Sequence, residues 1–134
     1  MVDTGFSEED LVANPSPLVI ECEKTQACLA VSDLTAAIEF YVKKLGFRFG
    51  FTFGEPAVFA GLNLGNVGIF LKEGTPAPSV GAVFFTVGDA DALYEFHRAN
   101  RVEMVEEIGD REFGMRDYVV KDLYGHRLIF GHNI

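Results

Sequence analysis

The stretch ACLAVSDLTAAIEFYVKKL, beginning at Ala27, matches AVFFTVGDADALYEFHRAN, beginning at Ala82, when positions 56 residues apart are paired. Val31, Asp33, Ala36, Glu39 and Phe40 recur as Val87, Asp89, Ala92, Glu95 and Phe96, while Leu29 becomes Phe85. The identities fall at the end of an alternating apolar run, at a helix cap and along one helix face. They mark one supersecondary unit used twice. A chain of 134 residues with 13% aromatic side chains has material for a real core, so the repeat implies one domain built from two similar halves.

Each half has the same order of elements. Ala27, Leu29 and Val31 alternate with Cys28 and Ala30, which is a strand pattern. Leu34, Ala37, Ile38, Tyr41, Val42 and Leu45 follow at helical spacing, after a Ser/Asp start and before Gly46. Three short strands are then expected in FRFGFTF, AVFAGLNL and VGIFLKE, separated by turns at Gly54-Glu55-Pro56 and Gly65-Asn66. The Pro/Gly/Ser-rich GTPAPSVG separates the halves. VEMVEEI, RDYVVKD and HRLIFG complete the second set, with Asp122-Leu123-Tyr124-Gly125 as the last hairpin turn. The expected architecture is α+β: two βαβββ modules in tandem, forming curled mixed sheets around a groove with helices outside. Module 1 spans about 24–73, the linker 74–80 and module 2 about 81–134, giving a single domain over 21–134. Residues 1–20 read as an extension in which Ser7 and Asp10 form a capping box and Pro15 and Pro17 end a short helix.

Charge and cysteine content narrow the function classes. A net charge of −9 with no Lys/Arg cluster argues against nucleic acid, whose phosphates call for a basic face. No apolar run approaches the ~20 residues that span a bilayer. The acidic N-terminus lacks an apolar h-region, so the chain is expected in the cytoplasm, away from membranes. Cys22 and Cys28 have no CxxC spacing and are expected as free thiols, Cys28 partly buried.

The word LAVSDLTAAIEFYVKKLGF, and FGMRDYVVKDLYGHRLIFG near the end, carry a resemblance to the vicinal-oxygen-chelate superfamily of glyoxalase I, extradiol dioxygenases, fosfomycin-resistance enzymes and bleomycin-resistance proteins. The second word is similar to the W-G-x-R-E-F-x-x-R-D-P-x-G-N ending of the bleomycin-resistance branch, with Phe113 in place of Trp. The resemblance covers Lys24 to the end, and it implies the paired-module fold. In the metal enzymes of that family each module supplies two ligands, one from its first strand and one from its last. Those places fall here at Gln26, Phe70, Ala82 and Ile129. A divalent cation needs His, Asp, Glu or Cys donors, and only Gln26 carries a side-chain donor at all, so no metal or other cofactor is expected. His97, at the end of the second helix, is expected to pack, and no HxH or HExxH spacing joins it to His126 and His132.

Parity assigns Gln26, Cys28, Ala30, Gly68, Phe70, Lys72, Ala82, Phe84, Thr86, Arg127 and Ile129 to the groove side. Their alternates, Leu29, Val31, Val67, Ile69, Leu71, Val83, Phe85, Val87, Leu128 and Phe130, fall under the helices. The groove side is apolar and aromatic with few titratable groups, which suits a ligand pocket better than a reactive centre. Phe47, Phe49, Phe51 and Phe53 share one strand parity, with the first two expected in the core and the last two at a groove rim or dimer contact. The expected ligand-binding set is Gln26, Phe51, Phe53, Phe70, Phe84, Phe113, Met115, Arg116 and Ile129. Arg116 with Asp117 is equally expected as a structural ion pair. Glu106, Glu107, Asp110 and Glu112 crowd one hairpin that would favour a cationic tail. The implied function is a metal-free protein that sequesters a small aromatic compound, neutral or cationic, in the groove of a homodimer, with no catalytic residue assigned; the lost ligand places lean against an enzyme without excluding one. The alternatives are a lyase, isomerase or oxygenase of the same superfamily with relocated metal ligands, and a module that works through protein contacts alone.

Overall fold

The computed structural model describes residues 7–13, 18–78 and 81–134. A short helix α1 (Glu8–Ala13) begins where Ser7 Oγ accepts the Asp10 amide at 3.2 Å. Pro15 and Pro17 lie outside the described residues. The first module comprises β1 (Ala27–Val31), α2 (Leu34–Glu39) continued by a π-helical turn (Phe40–Lys44), β2 (Arg48–Phe53), β3 (Phe59–Leu64) and β4 (Val67–Glu73). The second comprises β5 (Ala82–Thr86), α3 (Ala90–Ala99), β6 (Glu103–Asp110), β7 (Met115–Lys121) and β8 (Arg127–Asn133). Both helices start in the same way. The carboxylates of Asp33 and Asp89 accept the amides of Ala36 and Ala92, each at 3.0 Å, which satisfies one orphan N–H per helix.

Each module forms one four-stranded mixed sheet, ordered β1-β4-β3-β2 and β5-β8-β7-β6. The helix carries the chain from the first strand to the far edge. Two antiparallel turns then bring it back to pair parallel with the strand it left. The expected α+β fold with tandem modules is therefore the observed one.

One face of each sheet packs under the helices. Val31, Ile69, Leu71, Leu62 and Ala60 are buried on the first, and Phe85, Leu128, Phe130, Tyr118 and Val120 on the second. These side chains belong to a single core, with Phe47 meeting Phe85 edge-on at 5.7 Å between ring centroids. Polar groups seal the same seam between modules. Tyr41 donates to Asp122 Oδ2 at 2.8 Å, and burial together with that carboxylate pushes the phenol well above its ordinary pKa. Asp122 Oδ1 accepts the amides of Tyr124 and His126, which builds the last hairpin turn. Gly125 there has φ +88°, a conformation that favours glycine. His126 donates from Nε2 to the Ala30 carbonyl at 2.7 Å, and Tyr124 donates to the Asp33 carbonyl at 2.8 Å.

His97 is fully buried, as a packing residue would be. Its Nε2–H donates to the Leu45 carbonyl at 2.9 Å, and its Nδ1 accepts from the Tyr118 hydroxyl at 2.8 Å. Burial lowers its pKa and so favours this neutral form of the ring.

Two core expectations fail. Phe49 is 49% exposed. It does lie on the helix side, lining one pocket with Ile38 and Val42, but β2 is the edge strand and the helix leaves the ring half uncovered. Cys28 is likewise exposed rather than partly buried, because it points away from the helices on the opposite edge strand.

Candidate functional site

The face of the first sheet that turns away from the helices can be read from strand register. One row runs Cys28, Phe70, Gly61, Phe51; the next runs Ala30, Lys72, Phe59, Phe53. Before them lie Gly68, Asn63 and Arg48, with the Gln26 amide so close over Gly68 that a Cβ there would meet it at 2.7 Å. Phe51, Phe59 and Phe70 form one cluster. Phe59 and Phe70 stand 5.0 Å apart, and Phe51 is 6.3 Å from each. The Phe51 ring lies over Gly61, where a Cβ would come within 2.2 Å of it, so the glycine makes room for the ring.

This cluster depends on a bulge. Phe49 pairs with Leu62 and Phe51 with Gly61, leaving Gly50 without a partner. The extra residue switches the parity of the strand. Phe47 and Phe49 therefore face the helices, while Phe51 and Phe53 face away, and the four rings are not on one face as simple alternation implies.

The same face of the second sheet presents Phe84, Ile129 and Val119 in one row and Thr86, Gly131 and Asp117 in the next. Phe84 is 43% exposed, and Ile129 and Met115 are half-buried. Phe113 sits at the tip of the β6–β7 hairpin, 71% exposed. The expected ligand-binding residues thus fall into three places. Gln26, Phe51, Phe53 and Phe70 share the open face of the first sheet, and Phe84, Met115 and Ile129 that of the second, with Phe113 at the hairpin tip. Arg116 lies apart from all of them. Its partners on β8 and β6 are His132 and Asp110, and its guanidinium grips Asp91 at 2.9 Å and Asp110 at 3.0 Å.

The expected Arg116–Asp117 ion pair does not form, because neighbours on a strand point to opposite faces. Asp117, buried, pairs instead with Arg111 at 2.7 Å. The crowded carboxylates of the hairpin are largely engaged as well. Glu106 meets Arg111, Asp110 meets Arg116, and Glu107 meets both Arg98 and the Tyr94 hydroxyl. Sequence reasoning missed Phe59 as a member of the ring cluster and Arg111 as the partner of Asp117. Phe59 was within reach, since it occupies a strand position opposite Lys72; Arg111 was not, because it sits just beyond a strand end and reaches back.

The four places where the family's metal enzymes carry ligands hold Gln26, Phe70, Ala82 and Ile129. One amide and three apolar side chains do not fit a divalent cation. Among the described residues, Asp89, Asp91 and His132 do bring donor atoms within 4.8 Å of one another. Each is already engaged: Asp89 caps α3, Asp91 takes the Arg116 fork, and His132 Nδ1 accepts the Ala90 amide at 2.8 Å. That last bond leaves the neutral ring with its proton on Nε2 and no free lone pair for a metal.

Two clefts border the open faces and the module seam. One of about 450 Å³ lies where β1 approaches β5, lined by Cys28, Ala30, Ala82, His126 and Arg127. A larger one, about 660 Å³, runs between the β3–β4 turn and the start of α3, past Val67, Phe85, Val87 and Phe96. None of the expected ligand-binding residues lines the larger cleft, which sits on the helix side.

A chain of two βαβββ modules, each with one open sheet face and a helix on the other, is of the glyoxalase-like class. The chain belongs to the Glyoxalase/Bleomycin resistance protein/Dioxygenase superfamily, whose sequence profile matches residues 25–130. TioX from Micromonospora sp. ML1 is similar in structure at a TM-score of 0.71 and 23% identity, over 83% of this chain and 100% of that one. The bleomycin-binding protein of bleomycin-producing Streptomyces verticillus, solved with copper(II)-bleomycin, gives 0.67 and 21%, over 84% and 97%. The fosfomycin resistance protein FosX of Listeria monocytogenes gives 0.69 and 17%, over 86% and 96%. At these identities the likeness concerns the fold. No curated protein sequence matches the chain significantly.

Proposed function

We propose that this protein binds a small aromatic compound, without a metal, on the open sheet faces, and that a second copy completes the groove. The observation that carries the reading is the Phe51–Phe59–Phe70 cluster laid over Gly61. Phe51 is 48% exposed in the single chain, and an apolar ring cluster open to solvent is a surface that gains from being covered. A flat ring stacked there removes apolar area from water on both partners. The module 2 residues Phe84, Met115 and Ile129 stand on the other sheet, so each chain carries two half-sites, which supports pairing. The fold shared with a copper(II)-bleomycin binder makes sequestration a natural use of such a surface. The Gln26, Phe70, Ala82 and Ile129 set supports binding over metal-assisted catalysis. No helix among the described residues is long and apolar enough to cross a membrane, and a freely diffusing ligand suits that.

Isothermal titration with bleomycin and a panel of bicyclic aromatics, followed by sedimentation with and without the tightest binder, tests the reading. Saturable 1:1 binding per chain to a dimer is expected. Absence of binding across the panel, or a monomer that binds at full affinity, overturns it. Stoichiometric metal in protein purified without chelators overturns the metal-free part.

A further inference from the structure

The charge of the first sheet's open face is opposite to that of the chain. The whole sequence carries −9, yet register places Arg48 and Lys72 on the open face of the first sheet, one row to either side of the Phe70–Gly61–Phe51 row. No Asp or Glu shares that face among the described residues of its strands. Neither cation forms an ion pair with any described residue, and both side chains are exposed. Arg127 adds a third, likewise without an ion pair, in the cleft where β1 approaches β5 beside Cys28 and Ala30. The carboxylates on the corresponding face of the second sheet are engaged: Asp117 and Glu106 share Arg111, and Glu103 meets Lys121 at 3.8 Å.

Unpaired cations beside an exposed ring cluster, in a protein with 20 acidic against 11 basic residues, leave the local potential positive where the ligand would lie. Gln26 Nε2, close over Gly68, and Asn63 Nδ2, near Gly50, add hydrogen-bond donors and no charge. Resting on the aromatic-binding reading above, we infer that the ligand is an aromatic anion: a planar ring system carrying a carboxylate, sulfonate or comparable oxyanion. Its rings stack on Phe51, Phe59 and Phe70, and its anionic group reaches Lys72 or Arg48 at the edge of the cluster. Oxyanions take Lys as a point charge and Arg as a fork, so either cation serves. A cationic aromatic would meet like charges on this face, and three of the hairpin carboxylates that would attract it, Glu107, Glu106 and Asp110, are held by Arg98, Arg111 and Arg116.

Three isosteric probes separate charge from aromatic stacking: 2-naphthoate, 2-naphthalenemethanol and 2-naphthylmethylammonium, titrated calorimetrically into the full chain at low and at moderate salt. The expected order is naphthoate tightest by about tenfold or more, then the alcohol, then the ammonium, with the naphthoate advantage shrinking as salt rises. K72M with R48M is expected to bring naphthoate affinity down to that of the alcohol, and K72E with R48E to reverse the order. The three probes binding equally, or the ammonium binding tightest, overturns the anion inference while leaving aromatic binding intact. Loss of all three signals overturns the aromatic reading, and the anion inference with it. Both variants carry exposed substitutions, and their unchanged melting confirms that the fold survives.

Discussion

Phe47 and Phe53 lie six positions apart on one segment and have opposite fates. Phe47 is 2% exposed and meets Tyr41 and Phe85 edge-on, while Phe53 is 70% exposed. Truncating a fully packed phenylalanine loses both its transfer energy and the cavity it leaves. Phe47→Ala is therefore expected to cost about 3–5 kcal/mol in urea denaturation, and Phe53→Ala to leave the midpoint nearly unchanged while weakening aromatic binding. The opposite ranking would show that the strand is placed on the wrong faces. At this scale the sequence was legible for Phe47, which directly follows the helix-ending glycine. Phe49 was misread because parity says which way a side chain points and nothing about what covers it.

The element that shapes the site is β2 with its bulge. A Cβ on Gly50 would sit 2.6 Å from the Gly61 carbonyl oxygen, a backbone atom that has no easy way to move, whereas the nearest atoms to one on Gly61 belong to the Phe51 ring. Gly50→Ala is expected to destabilise the fold by roughly 1–3 kcal/mol, in the range of other overpacking changes. Gly61→Ala is expected to displace the Phe51 ring at smaller cost, and to reduce 2-naphthoate affinity by more than it lowers the denaturation midpoint. Comparing the two variants by urea melts and titration separates a strained sheet from a lost stacking surface. Gly50 was recognisable in the sequence as a place for a bend. That the bend adds an unpaired residue, and so turns Phe51 and Phe53 to the face opposite Phe49, depends on pairing with β3.

Across the whole molecule the two modules share a core, and His97 joins them by bonding Leu45 of the first and Tyr118 of the second. Burial holds its pKa below the ordinary 6.5. The unfolded chain therefore takes up a proton near pH 6.5, while the folded chain resists until lower pH. Between these two values the unfolded state binds more protons, so stability is retained above 6.5 and falls as pH drops through the window. Urea midpoints measured from pH 7.5 down to 5.0 are expected to decline, and His97→Gln to flatten that decline while lowering the midpoint at pH 7.5. An equal slope in the variant would assign the acid sensitivity elsewhere.

The repeat, the capping aspartates and the apolar alternation determined the modules, their strands and, outside the bulged β2, the split between covered and open faces. These are local properties: periodicity, turn chemistry and helix capping act between residues close in the chain. The superfamily was legible for the same reason, since its marks lie in the strand–helix and hairpin words. Tertiary structure alone decided which partners the charges take. Asp117 bonds Arg111, Arg116 bonds Asp91 and Asp110, and Arg48 and Lys72, beside the ring cluster, form no ion pair with any described residue. Coulomb attraction acts through space on side chains that register and bulges bring together, and no spacing along the chain encodes which cation is left over.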